Sequence, residues 1–139
     1  MRFEGQGMTM NVAVVDGAQL PAGVEFPPLK TAKYSWEQYP QLDAGEITLR
    51  CWKSDILVVL SSAITRTQLE KMPRLKLIVA ADEACAQLDQ DAARAQGVEL
   101  LAFPDAVGSD AAQAQDLCAR ISAAIDHYIR MFEDNGASS

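Results

Sequence analysis

Short apolar runs alternate with amphipathic segments along most of this chain. Residues 34–37 alternate between apolar and polar side chains, which predicts a strand. The pair Asp16-Gly17 follows an apolar run and is typical of a turn. Mainly aliphatic runs at 10–15, 75–80 and 98–102 also predict strands. The unbroken apolar run at 56–60 is typical of a strand buried on both faces of a parallel sheet.

The segments between these predicted strands have the sequence patterns expected of helices. Thr65 followed by Gln68 forms a capping pattern, and Gly97 is placed to end a helix. One or two helical turns are also expected within 24–32, with Pro27 and Pro28 at the first positions. A short helix is predicted over 46–52, and further helices over 65–72, 87–96 and from Ser109 to about residue 134.

Regular alternation of strands and helices predicts the α/β class. We expect one domain over 10–134, with a parallel sheet of about five strands, helices on both faces and a long C-terminal helix. Residues 1–9 are expected to be a disordered leader and 135–139 a frayed tail.

The predicted C-terminal helix has more apolar surface than a short sheet is expected to cover. Its apolar residues recur at steps of three and four, with Ala124 and Leu117 beside them. A helix of about 25 residues is about 37 Å long, whereas strands are about 17–20 Å long. We therefore expect a homodimer in which a second copy covers the helix at Cys118, Ile121, Ile125, Tyr128, Ile129 and Phe132.

Composition excludes several function classes. The net charge of −7 repels phosphate backbones, which disfavours nucleic acid as a partner. No apolar run approaches the length that spans a bilayer. Three widely spaced cysteines, with no cysteine–histidine cluster, predict free thiols in the cytoplasm and neither a metal nor another cofactor.

Polar residues follow three of the predicted strands, and ligands bind at the carboxyl ends of strands in parallel α/β folds. A weak ligand crevice is predicted there, although ordinary loop residues are an equally good interpretation. Cys85 is a candidate nucleophile, but the acidic residues before it oppose a thiolate. His127 is interpreted as a solvated helix residue. The crevice residues are Ser61, Ser62, Asp82, Glu83 and Asp105.

Several strings, in order and in register, resemble the substrate-binding domain of the D-isomer-specific 2-hydroxyacid dehydrogenases. The resemblance implies a flavodoxin-like three-layer fold. The most specific string is 64–78, which is similar to the family's helix, proline and Leu-Lys-Leu-Ile strand. The other strings lie at 11–17, 53–59, 88–98 and 104–113.

The sequence departs from the family where the resemblance implies chemistry. The family has a glycine after the fourth strand, whose neighbourhood holds the substrate carboxylate, whereas this chain has Glu83-Ala84. Gln113-Ala114 stands where the family often has Glu-His. The family's catalytic Arg, Glu and His and its GxGxxG loop belong to a nucleotide domain for which no sequence follows here. We therefore expect no catalytic residues and no bound cofactor.

These observations favour a non-catalytic binding or regulatory module derived from that substrate-binding domain. It would act by self-association or through another protein. One alternative is a sensor of 2-hydroxy or 2-keto acids. Another is a dehydrogenase subunit that works with a separate NAD-binding chain. The acidic charge also permits a DNA mimic.

Overall fold

A computed structural model describes residues 10–17, 20–30, 34–60, 62–81, 88–103 and 110–138. The strands are β1 Met10–Val15, β2 Tyr34–Gln38, β3 Ile56–Val59, β4 Leu77–Ala81 and β5 Glu99–Phe103. The helices are α1 Ala44–Cys51, α2 Arg66–Glu70, α3 Gln90–Ala95 and α4 Ala111–Ser138.

The five strands form one sheet in the order β2-β1-β3-β4-β5, and every neighbouring pair is parallel. This is the flavodoxin-like order, so the predicted α/β class and architecture are confirmed. The strand order reverses direction between β1 and β3. In sheets of this kind, the crevice at that reversal is where ligands bind.

Helices cover the sheet on both faces because its central strands are apolar on both faces. Ala13 and Val15 of β1 belong to one buried cluster, together with Ile47 of α1 and Leu69 of α2. Val12 and Val14 point to the other face and share a cluster with α4. β3 has no exposed side chain, as its unbroken apolar run predicts.

Capping residues lie at the ends of helices α2, α3 and α4. Thr65 and Gln68 form the predicted capping box of α2, and Gly97 ends α3 with a φ of +82°. The predicted first residues of α3 and α4, Gln87 and Ser109, lie outside the described residues. Within the described residues, Asp110 caps α4, because its Oδ1 accepts a hydrogen bond of 2.7 Å from the backbone N of Ala112.

The segment 20–30 forms no helix, which corrects the helical turns expected within 24–32. Proline disfavours helical geometry in the residue before it, so Pro27 and Pro28 push Phe26 and Pro27 towards extended backbone. The segment instead lies along α4. Gln115 accepts from the backbone N of Glu25 at 3.1 Å and donates to its carbonyl at 2.7 Å.

This arrangement changes the interpretation of the long helix. Cys118, Ile121, Ile125 and Ile129 have no exposed surface within the single chain. The three isoleucines share a buried cluster with Met10 and Leu29, and Cys118 packs in another with Val24. The length argument that assigned these four residues to a second copy is therefore corrected, because the sheet and Leu29 cover the three isoleucines and Val24 packs against Cys118. Tyr128 is half-buried, and the side chain of Phe132 lies outside the described residues.

Candidate functional site

The chain leaves β1 through a left-handed residue at the point where the strand order reverses. Asp16 has a φ of +73°, a conformation that asparagine and aspartate adopt more readily than other residues with a side chain. Its side chain is turned inward, and the residue is only 4% exposed. A carboxylate in such a position needs hydrogen-bond donors around it.

The loop after β3 provides those donors. One carboxylate oxygen of Asp16 accepts from the backbone N of Leu60 at 3.2 Å and from that of Ser62 at 2.8 Å. The other oxygen accepts from the Ser62 hydroxyl at 2.7 Å. Asp16 therefore connects the carboxyl ends of β1 and β3 across the crevice, and it occupies donors that could otherwise hold the carboxylate of a ligand.

The end of β2 lies against the same turn. Gly17 donates its backbone N to the carbonyl of Tyr39 at 2.8 Å, and a Cβ at Gly17 would lie only 3.1 Å from that carbonyl oxygen. The Tyr39 hydroxyl donates to Glu37 at 2.6 Å. This hydrogen bond and burial raise the pKa of Tyr39 to about 12, so the phenol stays protonated at neutral pH.

The predicted crevice is only partly within the described chain. Ser62 lies at the reversal point, half-buried and bonded to Asp16. The other four predicted crevice residues lie outside the described residues. They are Ser61, Asp82, Glu83 and Asp105, and the candidate nucleophile Cys85 also lies outside. Sequence reasoning missed Asp16 as a site residue because the Asp-Gly pair was interpreted as a turn alone.

His127 is exposed and lies far from this crevice. It is 16 residues beyond Ala111, the first residue of α4, or about 24 Å along the helix axis. Burial raises the pKa of its neighbour Tyr128, and Glu99 and Asp55, at the amino ends of strands, add to the shift. His127 is therefore near the opposite edge of the sheet, as a solvated helix residue.

The two cysteine thiols within the described residues are also unsuited to act as nucleophiles. Cys51 and Cys118 are fully buried, and burial raises the pKa of each to about 11. Both are therefore protonated and inert at neutral pH. Among the residues that the structure describes, no cluster of side chains is arranged to hold a metal, and no helix is long and apolar enough to cross a membrane.

The string at 53–59 has a structural role. Asp55 lies at the amino end of β3, where its carboxylate accepts from the backbone N of Asn11 at 2.9 Å and from Lys76 at 3.4 Å. The backbone N of Lys76 also donates to the carbonyl of Asp55. Asp55 therefore joins β1, β3 and β4 at the edge opposite Asp16.

Comparison with family models finds a match that covers most of β1, all of β2 to β5 and the first half of α4. It is the model described as "D-isomer specific 2-hydroxyacid dehydrogenase, catalytic domain", over residues 12–125 of the 139. Comparison with curated proteins finds no match. The parallel order of the sheet and the length of the match agree with the resemblance in the sequence, and the chain belongs to the D-isomer specific 2-hydroxyacid dehydrogenase family through its substrate-binding domain.

Proposed function

We propose that this chain is a non-catalytic binding or regulatory module of the family. The observation that supports the proposal is the internal network of Asp16. At the reversal point of the sheet, the backbone N groups of Leu60 and Ser62 are bonded to a carboxylate of the chain itself.

Electrostatics at this point disfavours a 2-hydroxy acid as substrate. The substrate carries a carboxylate, and like charges a few ångströms apart repel each other, the more so away from water. Asp16 is buried, so solvent screens its charge poorly. A neutral ligand, or one that presents donors, fits the edge better than an anion.

The residues at this point are also poorly suited to act as the base in a proton transfer. Oxidation of a hydroxy acid to a keto acid removes a hydride and the hydroxyl proton, so it needs a hydride acceptor and a base. Asp16 already accepts three hydrogen bonds, and Tyr39 keeps its proton up to about pH 12. The one histidine of the chain, His127, is about 24 Å along α4 from the start of that helix.

The test is turnover by the purified chain. It is mixed with NAD and a panel of 2-hydroxy acids, and with NADH and the matching 2-keto acids, while the absorbance of NADH is followed. We expect no turnover above buffer. Turnover by the chain alone would contradict the proposal, and turnover only after addition of a separate NAD-binding chain would replace it with the split-subunit function.

A thermal-shift screen with the same acids separates the module from a sensor. No aliphatic acid of the panel is expected to raise the melting temperature of the wild type, because Asp16 opposes anions at the edge. A saturable rise that Ser62→Ala abolishes would support the sensor instead. Thr67→Ala is the matched control, because it also removes a hydroxyl but from an exposed residue of α2.

A regulatory module acts through a partner, and a second copy of the chain is the partner we propose. The surface of α4 that remains for this contact is its exposed side, where Met131 is 52% exposed and Tyr128 is half-buried. Light scattering at micromolar concentration tests it. A dimer that Met131→Lys dissociates is expected, and a monomer in the wild type would contradict the self-association.

A further inference from the structure

A polar groove of about 280 Å³ lies at the amino-terminal corner of the sheet, beside α1. Its floor consists of Asn11 and Ser35, neighbours in the register of β1 and β2, together with Glu37. The residues at the end of α1 form its wall. The groove lies on the sheet face covered by α1, at the amino ends of the strands, about one strand length from the Asp16 crevice.

The groove has an excess of positive charge in an acidic protein. Arg50 and Lys53 line it and are exposed, whereas Glu37 is the one acidic residue of the lining. Within the described chain, neither Arg50 nor Lys53 forms an ion pair with a carboxylate. Glu37 accepts a hydrogen bond of 2.6 Å from the Tyr39 hydroxyl, which is a neutral partner, so the lining contains two cations and one carboxylate. The two cations are therefore available to an anion that comes from outside.

An aromatic residue, Trp52, lies between these two cationic residues in the sequence. Trp52 lines the groove and is 48% exposed, which is unusual for a tryptophan in a small domain. The ammonium of Lys53 lies 5.2 Å from the centre of its ring. An exposed indole with a cation at its face can stack on a flat ligand while the cation meets an anionic substituent.

We propose that this groove binds a small aromatic carboxylate, with the carboxylate at Arg50 and Lys53 and the ring against Trp52. The guanidinium of Arg50 can hold a carboxylate through two parallel hydrogen bonds. A volume of about 280 Å³ suits a ligand with a single ring. This inference goes beyond the proposed function, because it concerns the opposite edge of the sheet and does not depend on Asp16.

Benzoate, acetate and benzamide are the probes that separate the parts of the site. Binding to the full chain is measured by titration calorimetry and by the fluorescence of Trp52. Benzoate is expected to bind with millimolar affinity and to quench Trp52. Acetate lacks the ring and benzamide lacks the charge, so each is expected to bind about tenfold more weakly. Added salt is expected to weaken benzoate binding, because the charges are exposed.

Variants then locate the site. Arg50→Gln and Lys53→Gln are each expected to weaken benzoate about fivefold, as removal of an exposed charge contact does. Trp52→Leu is expected to abolish the quenching while Trp36 still fluoresces. Arg94→Gln is the matched control, since Arg94 is an exposed cation on α3 outside the groove, and it should leave binding unchanged. No saturation by benzoate, or equal binding by all variants, would overturn the proposal.

Discussion

The carboxylate of Asp16 is the side chain whose removal tests our view of the crevice most directly. Two substitutions separate its contributions. Asp16→Ala removes the acceptor for the backbone N groups of Leu60 and Ser62 and for the Ser62 hydroxyl. Asp16→Asn keeps one acceptor oxygen for the two backbone groups and places a donor near the hydroxyl, which can accept.

The magnitude follows from burial and backbone geometry. Leu60 has no exposed surface, so its unpaired N–H in Asp16→Ala cannot turn to water. A buried donor without a partner costs about 1–3 kcal/mol. Alanine in the left-handed region costs about 1–2 kcal/mol more. We expect Asp16→Ala to lose about 2–5 kcal/mol of unfolding free energy. Asp16→Asn tolerates the geometry and loses only the charge, at about 1–2 kcal/mol.

Urea denaturation followed by circular dichroism measures these differences. The slope of free energy against urea should not change, because the folded state stays equally compact. Asp116→Ala is the control, since Asp116 is an exposed carboxylate paired with Arg120 on α4, and it should change stability by less than about 0.5 kcal/mol. An Asp16→Ala cost below about 1 kcal/mol, or one equal to that of Asp16→Asn, would refute the reasoning.

Three further predictions concern α4 and the buried thiols. Ile125→Ala should lower the free energy of unfolding by about 2–5 kcal/mol at every protein concentration. A loss that depends on protein concentration would instead place Ile125 in an interface between two chains. Gln115→Ala should speed proteolysis near Glu25, and unchanged cleavage would contradict the anchoring role. The thiols of Cys51 and Cys118 ionise near pH 9 when unfolded but near 11 when folded. Their contribution to stability is therefore complete below pH 9 and falls as pH rises towards 11, which melting at stepped pH measures.

Local patterns in the sequence determined the class of fold. The aliphatic run at 56–60 predicts a strand buried on both faces, because only a sheet covered by helices removes both faces from water. The capping pair Thr65 and Gln68 and the terminator Gly97 acted as predicted, since each needs only neighbours within three or four residues. The family resemblance followed from the order of such local strings.

Contacts between distant segments were decided only by the tertiary structure. Asp16 meets Ser62, which is 46 residues away, and no spacing in the sequence predicts that bond. Gln115 likewise meets Glu25 from 90 residues away, and with it segment 20–30 comes to cover α4. The apolar seam of that helix shows how much surface must be buried, but not what buries it. The hydrophobic effect has no preferred direction, so a second chain satisfies it no better than the sheet and segment 20–30 of the same chain, which bury the seam here.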